Sequence, residues 1–312
     1  MRNIFLSAAV AAGVGILFWS VEAQQPAGQA GKAAPKGGVD GRLTWFDRQG
    51  KVVGAVGDPG LYRTLTISPD GKQVAAERAD PQTQNRDIWL VDFERGTTTR
   101  FTSDPGWDAF PLWSPDGGRI IFTSNRGGTY DLYQKAVNAK GDESLLYKSG
   151  EGKGPTSWSP DGRYLLYYSL GQPTHVRLLA AAGPADRQSV PLVDTQFTSI
   201  TARFAPDGRW IAYTSNESGK NEVAIRSFDP ATGSAGKPVV ITGDGGRTPL
   251  WRGDGKEIFY MNQDGTAMAM EIDTAGSVKV GSLKPLFTIP PGVVFWDVSP
   301  DGTRFLMPAP TK

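Results

Sequence analysis

The chain has no cysteine and a single histidine, His175, among its 312 residues. Disulfides, cysteine-based zinc sites, thiol catalysis and a lipid anchor on cysteine are therefore excluded. So is a metal site built from several histidines of one chain. A serine-histidine-acid triad would have to use His175, and no nucleophile-elbow run of glycine and serine accompanies it. Net charge is nearly absent, at +1 for neutral pH. A duplex nucleic acid favours a basic face, so none is expected as a partner. Long apolar runs are confined to one place. Ile4 to Trp19 follows the basic start Met1-Arg2-Asn3 and leads to a small-residue exit at Ala23. That is the pattern of a secretory signal, with an uncleaved anchor as the competing reading. Residues 1–23 are read as a signal peptide, and 24–39 as a flexible tether of Gln, Ala, Gly, Pro and Lys. Residues 40–312 are read as one folded domain outside the cytoplasm, periplasmic or secreted, with no other membrane contact.

What the chain has in abundance is one short phrase. Ser68-Pro69-Asp70-Gly71 returns as Ser114-Pro115-Asp116-Gly117, Ser159-Pro160-Asp161-Gly162, Ala205-Pro206-Asp207-Gly208 and Ser299-Pro300-Asp301-Gly302, with a worn copy at Arg252-Gly253-Asp254-Gly255. The aspartates are 45 to 47 residues apart. A fixed period of that length marks a propeller or solenoid. Proline presets the second position of a type I turn, aspartate suits the third, and glycine accepts the left-handed conformation that follows. Each copy is thus expected to join two antiparallel strands.

The second repeat shows the unit most clearly. Ala109 to Trp113 reads as an inner strand, Arg119 to Thr123 as a second, Tyr130 to Lys135 as a half-exposed third and Glu143 to Tyr147 as a fourth. Four antiparallel strands in that length make one propeller blade. After the last turn only Arg304 to Met307 remains, so the final blade lacks its outer pair. Leu43 to Asp47 and Lys51 to Gly54, ahead of the first inner strand, can supply it. The expectation is an all-β, six-bladed β-propeller in which the N-terminal outer strands complete the C-terminal blade.

The phrase Pro111 to Ser124, with variants at Pro155 to Ser169 and Ala202 to Ser215, resembles the WD-like propeller repeat of the TolB family of the bacterial envelope. Leu43 to Arg48 and Arg209 to Tyr213 are also similar to propeller domains fused behind some bacterial serine/threonine kinases. No glycine-rich loop, HRD or DFG of a kinase occurs here. The resemblance implies a six-bladed propeller in an extracytoplasmic setting that binds protein or ligand.

Candidate chemistry is sparse. The turn aspartates are explained by their turns, and no calcium-loop pattern accompanies them. His175 has no partner implied by sequence. Trp113, Trp158 and Trp251 share one position before the turn and are read as core between blades. Asn216-Glu217-Ser218 matches a glycosylation sequon. Arg126, Asn216 and Glu217 fall in loops between second and third strands. Asp104, Trp107, Asp108, Lys153 and Arg247 fall in loops that lead into inner strands. Strand direction puts both loop sets on the side opposite the repeated turns. These eight residues form the candidate binding face. The expected function is non-catalytic binding of a protein or peptide in the cell envelope by a monomer, through that face and the mouth of the central channel, with no cofactor or metal. The alternative is a hydrolase or lyase using carboxylates at the channel mouth.

Overall fold

A computed structural model describes residues 37–138, 141–193 and 195–311. The signal peptide read over 1–23, and most of the tether, lie outside the described residues. The described chain is all strand and turn. The first stretch gives β1 (Val39–Asp47), β2 (Val52–Ile67), β3 (Gln73–Ala79), β4 (Arg86–Asp92) and β5 (Thr98–Arg100). Next come β6 (Asp108–Trp113), β7 (Arg119–Ser124), β8 (Asp131–Ala136) and β9 (Ser144–Tyr147), then β10 (Lys153–Trp158), β11 (Tyr164–Ser169), β12 (Val176–Ala180) and β13 (Val190–Pro191). The fourth stretch holds β14 (Ser199–Phe204), β15 (Trp210–Ser215), β16 (Glu222–Asp229), β17 (Ser234–Ala235) and β18 (Val239–Val240). The last strands are β19 (Arg247–Trp251), β20 (Glu257–Met261), β21 (Thr266–Asp273), β22 (Lys279–Thr288), β23 (Asp297–Val298) and β24 (Arg304–Ala309).

The strands pair in sequence order within four separate antiparallel sheets, and a seven-stranded sheet runs β23-β24-β1-β2-β3-β4-β5. In that sheet the two chain ends meet: Arg42 to Asp47 of β1 pair with Ala309 to Arg304 of β24. The outer and inner strands expected as separate pieces before the first turn are one continuous strand. The early part of β2 pairs with β1 and its later part with β3. The two halves of this sheet pack on one another, because Leu43, Trp45 and Leu306 share a core with Leu65, Val74, Ala76 and Val91.

The turns work as their residues require. All six turn glycines have left-handed φ, from 68° to 73°, a region an L side chain enters only with strain. The serine closes the turn from the other side. Ser68 donates to the Asp70 carboxylate at 2.6 Å and accepts the amide of Gln73 at 2.9 Å. Ser114, Ser159 and Ser299 repeat this arrangement. Those bonds hold the turn aspartates Asp70, Asp116 and Asp301 below the usual carboxylate range.

The second strand of each repeat is buried on both faces, and side chains alternate along a strand. In β7, Ile120 and Phe122 join a core with Ala75, Ile88 and Trp113, while Ile121 joins one with Leu132 and Leu165. In β20, Ile258 and Tyr260 face β15 and β16, and Phe259 and Met261 face Phe305 and Met307. This is why these strands read as unbroken apolar runs. Each such side chain contributes about 1.5–3 kcal/mol by burial. Trp113 and Trp251 also donate their ring N–H to the preceding inner strand, at Thr66 and Arg203, so the tryptophans act as core between sheets.

Candidate functional site

The inner strands β2, β6, β10, β14, β19 and β23 are the first of each repeat, and a shared cavity lies between residues of the repeats. Thr64, Phe110, Pro155, Thr156, Tyr168, Thr201, Arg203, Thr248, Phe295 and Trp296 line it, and it encloses about 40 Å³. The cavity lies where the sequence leads us to expect the mouth of a central channel. Most inner strands carry a register shift beside the cavity. At Phe110, Thr201 and Thr248, which share one repeat position, φ is 53°, 52° and 52°. Non-glycine residues held in the left-handed region store strain and collect at ligand sites.

The lining has two layers. Phe110 packs edge-on against Tyr168 at 5.9 Å and Phe295 at 5.6 Å, with Ala109 and Ile200 beside them. Gly154 makes this layer possible, because a Cβ there would stand 2.4 Å from the Tyr168 ring. Burial drives the Tyr168 hydroxyl well above its ordinary pKa. Nearer the turns stands Arg203. It donates to the Thr156 carbonyl at 2.6 Å, and burial lowers its pKa against the opposing field of Asp297. Asp297 occupies the same repeat position as Arg203. Its carboxylate accepts the amides of Ile67 at 2.8 Å and Val298 at 2.9 Å, and burial raises its pKa despite Arg203 and these bonds. Sequence reasoning missed Arg203 and Asp297. The signal was available: four residues before each turn aspartate stand Thr66, Leu112, Ser157, Arg203, Leu250 and Asp297, and only two of these are charged.

The candidate face divides. Strand registers put Asp108, Ser124 and Asp131 in one row at the end of their sheet away from the turn. Arg126 is gathered there with Asp104 and Asp108. Its guanidinium takes both Asp108 oxygens at 3.0 and 3.1 Å, reaches Glu143 at 2.6 Å and lies 4.5 Å over Tyr133. Asp108 is wholly buried, and so is Lys153. Lys153 meets Asp131 at 2.5 Å and the Glu151 carbonyl at 2.6 Å. Neither residue is available as a surface contact, and Arg126 is committed to carboxylates of its own chain. Burial of its charge neighbours is what the loop assignment could not foresee.

The side chain of Asn216 accepts the Thr198 amide at 2.8 Å, as Asn125 accepts that of Trp107 at 2.7 Å. These asparagines fasten the loop entering their sheet. Trp107 is partly exposed and Glu217 exposed. Arg247 heads β19, is partly exposed and meets the Met261 sulfur at 2.9 Å, with burial lowering its pKa and no carboxylate opposing it. These residues belong to different sheets and make no mutual bond among the described residues. His175 precedes β12, and its Nδ1 is buried with no hydrogen-bond partner among the described residues.

Residues 49–181 match the family model of the TolB beta propeller domain. The chain is 26% identical over 196 residues to the Tol-Pal system protein TolB of Francisella tularensis, covering 62% of this chain and 44% of that one. It is 32% identical over 110 residues to the same-named protein of Wolinella succinogenes, covering 35% and 25%. The chain therefore spans less than half the length of these curated relatives. A solved structure of a TolB candidate from Agrobacterium tumefaciens superposes with a TM-score of 0.65 at 18% identity, over 88% of this chain and all of that one. The described chain is a TolB-like β-propeller.

Proposed function

We propose that this TolB-like propeller is an extracytoplasmic, non-catalytic module that binds a protein or peptide of the cell envelope at the disc end opposite the repeated turns, around the channel mouth. The observation that carries this reading is the mouth itself. An aromatic layer of Phe110, Tyr168 and Phe295 stands on inner strands strained at Phe110, Thr201 and Thr248. The names of the Tol-Pal relatives support an envelope setting. The residues left to make contact are Trp107, Glu217 and Arg247. Residues 1–23 act as the export signal, 24–39 as the tether and 40–312 as the propeller.

The working form is a closed ring of six blades. Two halves of the seven-stranded sheet, sharing β2, count as the first and last blades. The Ile67–Asp297 hydrogen bond, between the first and last inner strands, supports that closure. A hydrolase would need paired carboxylates at the mouth, whereas Asp297 is already held by two backbone amides.

The test is capture from envelope extract by the tagged full chain, with cross-linking and mass spectrometry. One partner should be enriched, and Trp107→Ala combined with Arg247→Ala should abolish the capture while leaving the melting temperature unchanged. Capture undiminished in that double variant would refute this face, and turnover of a glycan or peptide panel by pure protein would refute the non-catalytic reading.

A further inference from the structure

We infer that the channel cavity beneath the aromatic layer is a binding site for a carboxylate borne on a small apolar group. Arg203 is the reason. Its guanidinium can donate five hydrogen bonds, yet among the described residues it makes one, to the Thr156 carbonyl. Among the described residues it makes no salt bridge; Asp297 acts on it only through the field across the channel. Asp297 in turn has its own donors in Ile67 and Val298. Arg203 is only partly exposed, and it is the charged side chain lining the cavity.

Apart from the Tyr168 hydroxyl, the wall offers an anion few side-chain donors. Each lining threonine hydroxyl is already spent: Thr64 on Glu77, Thr156 on the Leu166 carbonyl, Thr201 on Thr214, and Thr248 on the Arg247 carbonyl and the Trp296 ring N–H. What remains is aromatic and aliphatic surface from Phe110, Phe295, Trp296, Leu112 and Leu250. A cavity of about 40 Å³ exceeds the ~10–15 Å³ that one water requires and is small for a ring. A planar anion suits the guanidinium fork, which takes a carboxylate through two parallel bonds. A carboxylate on a short alkyl group satisfies both parts of the wall.

This inference deepens the channel-mouth half of the proposed function, and its test is separate from partner capture. Ligand-observed NMR titration of the full chain with propionate and with propionamide, at fixed ionic strength, compares acid with amide. A tripeptide with a free or an amidated end gives a second pair. Both acids should bind at least 10-fold more tightly than their amides. A free-acid peptide that outbinds propionate assigns the carboxylate to a chain end; the reverse order assigns it to a small acid. Asp297→Asn should tighten propionate several-fold, since it removes the negative charge whose field acts on Arg203. Arg203→Lys should weaken it at least 5-fold, since the fork is lost with the charge kept. If Asp297→Asn does not fold, Arg203→Lys and the acid–amide comparison on the unaltered chain decide the outcome. Equal binding of acid and amide, or no saturable binding of either acid at 50 mM, overturns the inference and leaves partner capture at the disc face to stand or fall on its own experiment.

Discussion

Replacing Lys153 by methionine isolates the charge of a buried ion pair while keeping the stem that fills its space. The Lys153 side chain is fully sealed and that of Asp131 is 10% exposed. The ammonium is shared between the Asp131 carboxylate and the Glu151 carbonyl and lies 5.4 Å from the centre of the Tyr147 ring. Methionine preserves the contact with Tyr147 and leaves Asp131 as a nearly buried anion whose remaining donor is the Ser149 amide at 3.3 Å. Removing one member of such a pair costs about 3–5 kcal/mol. The slight exposure of Asp131 puts this site near the lower end, about 3 kcal/mol. At roughly 2–4 °C per kcal/mol for a domain of this size, the melting temperature should drop by about 6–12 °C. Calorimetry or urea unfolding measures it. Lys153→Met combined with Asp131→Leu should recover most of the deficit. A single variant that loses less than about 1 kcal/mol, or a double variant no better than the single, would refute the claim that Lys153 serves the fold rather than the surface.

Further outcomes follow from the turns, the channel and the buried acids. Gly71→Ala should cost about 1–2 kcal/mol in urea unfolding, since φ is 70° and no atom lies near an added Cβ; D-alanine introduced by ligation should abolish that cost. Gly154→Ala should destabilise by about 1–3 kcal/mol and move the Tyr168 ring, read as a change in near-ultraviolet circular dichroism. Asp87 is sealed from solvent, and burial raises its pKa to about 7 despite Arg100. A carboxyl that holds its proton more tightly in the folded state adds stability below its unfolded pKa, and that stability is lost as pH rises toward 7. Asp87→Asn should therefore flatten the fall of melting temperature between pH 4 and 7; an unchanged slope would show that Asp87 does not titrate there.

The repeated turn made most of the fold legible. Its proline, aspartate and glycine each have a local reason to be there, and local reasons survive without knowledge of the rest of the chain. The burial of the second strands on both faces was legible in their unbroken apolar runs. The short outer strands were not. Beside β12 only Val190–Pro191 pairs in register, because Pro191 has no amide to pair and Leu192 and Val193 go instead into the core around Val176. The worn turn at Arg252 hid a long-range role. Arg252 and Arg48 both grip Glu257, at 2.6 and 2.8 Å, and Gly253 donates to the Pro300 carbonyl. Arg252 serves its own repeat through Asp254 and Glu257, while Arg48 ties the hairpin between β1 and β2 to the same Glu257 of the neighbouring sheet, and nothing within the repeat reports that second contact.

The candidate face failed in part for a reason that also narrows recognition. Charged residues clustered in loops look like an interface when their neighbours are unknown. In the folded chain, Arg126 answers Asp104, Asp108 and Glu143, and Lys153 answers Asp131. Their charges are mutually satisfied, so a partner that displaced them would lose as much as it gained. Arg203 and Arg247 differ, since neither makes a salt bridge among the described residues. Arg203 lines the channel and Arg247 stands at the head of an inner strand, one residue before Thr248 of the channel wall. On the proposed reading, electrostatic selectivity converges on the channel, where a negative group would meet cations that make no salt bridge among the described residues. An acidic, apolar-flanked segment should outcompete a basic one of equal length in a fluorescence anisotropy titration, with the difference falling as salt rises, and equal affinity for the two would place recognition outside the channel.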